Sequence, residues 1–305
     1  MHKITLPQNS SSNCFDSIIY SLLKYFNFDY EVYNIKYFYT DYYKENVNNI
    51  QYCICRGKYT NILKDIYNID LCYMNTDNLV ELFDIIKRVP VCVIIDPYYC
   101  HWSPFYQKGH YSHFLLIIGI NYHEKKYVCF DVHFDSVGYI EIDFDIINKN
   151  VEQYFVFNFE KTNEVRLKLV IDKLKTSLDR FNNDLDIKKT ELADYFLTSD
   201  RNILFPKNLE TSIPLICLMW IAEDKKNFSI LLRYIENKIE GKFPHSLYDL
   251  LTISQQSFVL LKTTLIKYAI TGILKEDKLK NILNQIFDTD ARIVEQIQNI
   301  LIGKM

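Results

Sequence analysis

HFLLIIGINYHEKKYVCFDV, residues 113–132, is the stretch on which the fold turns. Its apolar runs, Phe114–Ile120 and Tyr127–Val132, are short and rich in Ile, Val, Phe and Tyr, which is the pattern of strands. The polar stretch Asn121–Lys126 between them suits a hairpin connection. With Ile120 pairing near Tyr127, His113 opens one strand and Asp131 lies a few residues away on its neighbour. Val91–Ile95, Tyr139–Ile142 and Tyr154–Phe159 are further strands of the same kind.

Upstream the periodicity changes. Phe15, Ile18, Ile19, Leu22, Leu23 and Phe26 form one helical stripe. A helix first and a sheet later make an α+β domain. Beyond Phe159 the strand signals stop. Val165–Phe181, Pro214–Ile239, Leu247–Ile273 and Glu276–Leu301 have helical periodicity, punctuated by Pro and Gly at 207–214 and 241–244. The expected organisation is an α+β domain over residues 1–162 and an all-helical domain over 163–305.

Composition narrows the function classes. The 305 residues are 49% hydrophobic and 24% charged, as in a globular chain. A net charge of -3 and no Lys/Arg-rich run leave no footprint for nucleic acid. Ile213–Ala222, the longest apolar stretch, is too short for a membrane span. Met1–Ser10 lacks the signal-peptide pattern, so the eight Cys are expected as reduced thiols and the protein as cytoplasmic. Only seven Gly occur, and no Gly-rich phosphate loop is among them.

The residues that could do chemistry start with Cys14. It stands at the start of the amphipathic helix, where the dipole and unpaired backbone N–H groups favour a thiolate and an oxyanion. Gln8 could add an amide donor to that oxyanion site. His113, held by a strand start just past a loop, has the placement of a general base. Asp131 across the hairpin could accept its N–H and stabilise imidazolium. Singly, each has a structural explanation: a small buried Cys, a satisfied His, a strand-end Asp. Jointly they point to nucleophilic catalysis.

The order Gln8, Cys14 on a helix, then sheet-borne His113 and Asp131 resembles papain-like cysteine enzymes. His113–Gly119 with Phe130-Asp131 is similar to the bacteriocin-leader peptidases. The stretch DPYYCHWSPFYQKGHYSH, residues 96–113, resembles more closely the N-terminal domain of the butirosin-biosynthesis acyltransferase family. The resemblance covers roughly residues 8 to 135. The chain departs from relatives in having Phe15 after the nucleophile, where a small residue is common, and Val132 after Asp131, where Pro is frequent. The resemblance implies a papain-like fold. It also implies transfer of an acyl group from the phosphopantetheine thioester of an acyl or peptidyl carrier protein, through acyl-Cys14, to a small amine or diamine. It implies no bound cofactor and no metal. Cysteine-protease homologues that form amides in polythioamide biosynthesis are neighbouring relatives. A cysteine peptidase or amidase, and a papain-fold binding module without chemistry, are the competing readings.

Other residues have two readings each. Asp96 could bind a cationic amine or merely end a strand before Pro97. Tyr98, Tyr99, Trp102 and Tyr106 could line an acyl tunnel or form a packed loop. His101 and His110 are alternative bases on the same loop, without an Asp on a partner strand. Cys53, Cys55, Cys92, Cys100 and His101 lack the paired spacing of a zinc site. Beyond residue 162, 21 basic face 19 acidic side chains, against 14 and 19 before it. That small excess could dock an acidic carrier protein or be a solvated helix surface.

Overall fold

The computed structural model describes residues 1–7, 13–39, 42–47, 50–55, 59–74, 79–103, 105–108, 110, 112–133, 136–159, 165–198, 212–239 and 241–303. The chain divides into two compact units, one of residues 1–30 and 63–164 and one of residues 31–62 and 165–305. The fold is α+β.

The first unit is built on a six-stranded sheet of β3 (Ile69–Met74), β4 (Val91–Ile95), β5 (His113–Asn121), β6 (Lys126–His133), β7 (Ser136–Asp143) and β8 (Val151–Phe159), ordered β3-β8-β4-β5-β6-β7. Every pairing in it is antiparallel. The expected hairpin forms with Ile120 opposite Tyr127 and Leu115 opposite Asp131, with a register shift between Ile117 and Gly119. Alternation sends Val91, Val93, Ile95, Leu115, Ile117, Tyr127 and Cys129 to one face, where Leu82 and Ile86 of α3 (Leu79–Arg88) cover them. On the other face lies α1 (Cys14–Tyr25), whose residues Asp16 to Leu23 are buried. Its Phe15 ring meets Phe114, and Phe114 meets Phe155. The N-terminal residues add to this packing: the His2 N–H donates to the Ile118 carbonyl at 2.8 Å.

Among the described residues, the second unit holds α5 (Leu167–Asn183), α6 (Leu185–Thr198), α7 (Ile213–Lys238), α8 (His245–Thr271) and α9 (Glu276–Gly303). The apolar stripes of α6, α7, α8 and α9 close on Leu192, Phe196, Leu218, Phe258, Leu265, Leu283 and Phe287. The described residues from 165 onward form helices, as expected for 163–305, but residues 31–62 cluster with this unit, so the division is not a single cut at 162. They bring most of a 3-10 helix (Tyr30–Tyr39) and the hairpin of β1 (Tyr42–Val47) and β2 (Ile50–Cys55). The reason is a set of buried charges. Lys36 pairs with Asp224 at 2.6 Å, and Lys225 pairs with Asp290 at 2.7 Å while also meeting the Tyr37 hydroxyl. Ser254 donates to the same Asp290 carboxylate at 2.6 Å. Buried charges must find partners, and the partners of residues 36 and 37 lie on distant helices. Among the described residues no helix is long and apolar enough to cross a membrane.

Candidate active site

Cys14 is the first residue of α1, and Asn13 is its N-cap. The Asn13 side chain accepts the Asp16 N–H at 2.9 Å and donates its amide N–H to Asp16 Oδ2 at 2.6 Å. This reciprocal cap fixes where the helix begins, and therefore where the half-exposed thiol sits. The N–H of a residue at this position has no acceptor within its own helix.

His113 is the first residue of β5, paired with Ile95 at the end of β4. It is 2% exposed, and its Nε2 lies 2.7 Å from Asp131 Oδ1. Since Asp131 faces Leu115, His113 and Asp131 are diagonal neighbours on one face, a separation that a long and a short side chain can span. With Nε2 given to Asp131, Nδ1 is the nitrogen left for Cys14, which acts on the ring electrostatically. Burial alone would lower the imidazole pKa. The hydrogen bond and charge of Asp131, followed by the electrostatic effect of Cys14, outweigh it and raise the value to about 10. At neutral pH His113 is therefore an imidazolium beside the Asp131 carboxylate.

Asp131 has a second bond. Trp102 donates its indole N–H to Oδ2 at 2.8 Å, so both carboxylate oxygens are engaged. The sequence left Trp102 between an acyl-tunnel wall and a packed loop; in the fold its polar edge meets the acid. Nearby cysteines are poor nucleophiles. Burial, then the charges of Asp131 and Asp96, push the Cys100 thiol up to about 12. Burial likewise raises Cys92 and Cys129.

Asp96 caps the turn Pro97–Tyr99, accepting the Tyr98 N–H on Oδ1 at 2.9 Å. Its Oδ2 lies 2.6 Å from His110 Nδ1. Both oxygens of the Asp96 carboxylate are thus engaged by its own loop. His110 does have an acidic partner, which sequence spacing missed because the pair forms across a folded loop. Tyr98 stacks on His110 with centroids 4.2 Å apart, while Tyr99 and Tyr106 are largely exposed. His101 is exposed, its ring set edge-on against Trp102. Gln8 lies outside the described residues, as does the Cys53-x-Cys55 side-chain pair. Two small apolar clefts among the described residues lie away from the Cys–His–Asp group. One is lined by Leu192, Tyr195 and Leu218, the other by Ile19, Leu22 and Phe157.

A thiol, an imidazolium and a carboxylate in series can open a carbonyl by nucleophilic attack and move the proton that follows. A scan against protein-family models finds no match for this chain, and a search of curated proteins finds none either.

Proposed function

We propose that the chain is a papain-like cysteine acyltransferase that makes amides from carrier-protein thioesters. The observation carrying this reading is His113, hydrogen-bonded to Asp131 and within electrostatic reach of Cys14, which begins a helix. In the first step the Cys14 thiolate attacks the thioester carbonyl, and the tetrahedral oxyanion is held at the helix N-terminus. The C–S bond to phosphopantetheine breaks, and that thiolate leaves with a proton from His113. The amine then attacks acyl-Cys14, His113 takes a proton from its nitrogen, and Cys14 departs as thiolate. Thioester exchange is close to neutral and aminolysis runs downhill, so neither step requires a metal or ATP. Gln8 is the proposed second oxyanion donor, and an acyl or peptidyl carrier protein is the proposed donor partner. The proposed setting is a reducing cytoplasm, where Cys14 stays a thiol.

The test mixes the protein with an acyl-loaded carrier protein and reads intact mass. An adduct of one acyl group, lost in Cys14→Ala and cleared by a small diamine, is the expected result. Cleavage of peptides with no amine requirement would assign a peptidase instead. No adduct from any thioester would leave a binding module.

A further inference from the structure

His113 takes its orientation from Asp131, so whatever holds Asp131 also holds the imidazole. A carboxylate tied by one hydrogen bond can turn about its broad terminal torsion and exchange its oxygens. Asp131 is tied by two, with His113 on Oδ1 and Trp102 on Oδ2. Trp102 is placed in turn by successive loop hydrogen bonds. The Cys100 N–H donates to the Pro97 carbonyl at 3.0 Å and the Ser103 N–H to the Cys100 carbonyl at 2.8 Å. Its ring also packs against the apolar core of β4 and β5.

The chemistry of the donor matters as much as its place. An indole N–H only donates, and it carries no charge. A Lys or Arg there would compete with the imidazolium for the charge of Asp131. A hydroxyl could reverse its hydrogen bond. A fixed neutral donor orients the carboxylate and leaves its full charge facing His113. Among the described residues, the ionisable groups that act on this pair include Cys14 from α1 and the buried thiols of Cys100 and Cys129, with Asp96 acting on Cys100.

We infer that Trp102 is a positioning residue for His113, acting through Asp131, and not a wall of the acyl site. This rests on the assignment of Cys14, His113 and Asp131 as the catalytic group. The direct measurement is the pH titration of the His113 imidazole C–H signal by NMR, identified by its absence in His113→Gln. Trp102→Phe keeps the ring and removes the N–H, and its titration midpoint is expected to fall by about half to one pH unit. An unchanged midpoint would overturn the inference. In acyl transfer, the same variant is expected to lose about tenfold in kcat with KM kept. Loss in KM alone would return Trp102 to substrate binding. Should Trp102→Phe not fold, Trp220→Phe leaves Trp102 as the sole tryptophan of the chain's two. Its emission is then expected to step at the His113 midpoint and to lose that step in His113→Gln; a flat emission would count against the coupling. The NMR shift needs no substrate, so a chain that forms no acyl adduct would sink the transferase reading alone.

Discussion

The rings of Phe15 and Phe114 meet edge to face with centroids 4.9 Å apart. Each directly follows a member of the candidate site, so an apolar contact brings Cys14 beside His113. Phe114 in turn meets Phe155 at 6.2 Å on β8, which ties the contact into the sheet. Phe15→Ala and Phe114→Ala are each expected to cost about 3 kcal/mol. A double-mutant cycle in urea should return a coupling of about 1 kcal/mol. Strictly additive losses would mean that the rings do not hold the two elements together.

The raised pKa of His113 makes a signed statement about stability. Its ordinary value is 6.5 and its folded value about 10, so the folded state binds the proton more tightly. The stabilisation is fully present below 6.5 and is lost as pH rises through about 10. In Asp131→Asn the carboxylate no longer opposes burial, and the His113 midpoint should fall far below the parent's. Urea midpoints from pH 6 to 10 should then lose the part of their slope that His113 supplies.

Thiol chemistry should separate the cysteines. Cys92, Cys100 and Cys129 are buried with raised pKa values, whereas Cys14 is half-exposed beside an imidazolium. Iodoacetamide at neutral pH is expected to label Cys14 at least tenfold faster than these three, read by peptide mapping. His113→Gln should slow Cys14 selectively. Equal labelling across the four would contradict the assignment of Cys14 as nucleophile.

Asp96 offers a choice between two roles. As the cap of the Pro97–Tyr99 turn and partner of His110, its loss should weaken the loop whatever amine is used. Asp96→Asn is therefore expected to raise KM for cationic and neutral amines alike, by a few-fold. A loss confined to cationic amines would show that its charge meets the acceptor.

In the helical unit, Lys225 contacts both oxygens of Asp290 at 2.8 and 2.7 Å, and its ammonium lies over the Tyr37 and Phe258 rings. Burial lowers its pKa against the opposing pull of Asp290. Lys225→Met leaves a buried carboxylate facing Ser254 and Tyr37, and should cost about 3 to 5 kcal/mol by chemical denaturation. Lys225→Met with Asp290→Leu is expected to recover most of that loss. A double variant as unstable as the single one would mean that packing, not charge, is at stake.

The sequence by itself determined the β5–β6 hairpin, the amphipathic α1 and the long helices α5, α7, α8 and α9, because periodicity is set by neighbours two to four residues away. It was enough to place Cys14 at a helix start and His113 within a few residues of Asp131 on a neighbouring strand. Weaker signals escaped it: the edge strand Ile69–Met74, the hairpin within 42–55 and the short helices α2 (Tyr59–Tyr67) and α4 (Phe144–Asn150). Only the tertiary structure decided that residues 31–62 belong with helices more than a hundred positions away. It alone gave Asp131 to Trp102 and Asp96 to His110. Burial forces charges such as Lys36 and Lys225 to find whichever partner the fold brings near, while the folding of one loop sets the exposed Asp96–His110 pair, and no local pattern records those partners.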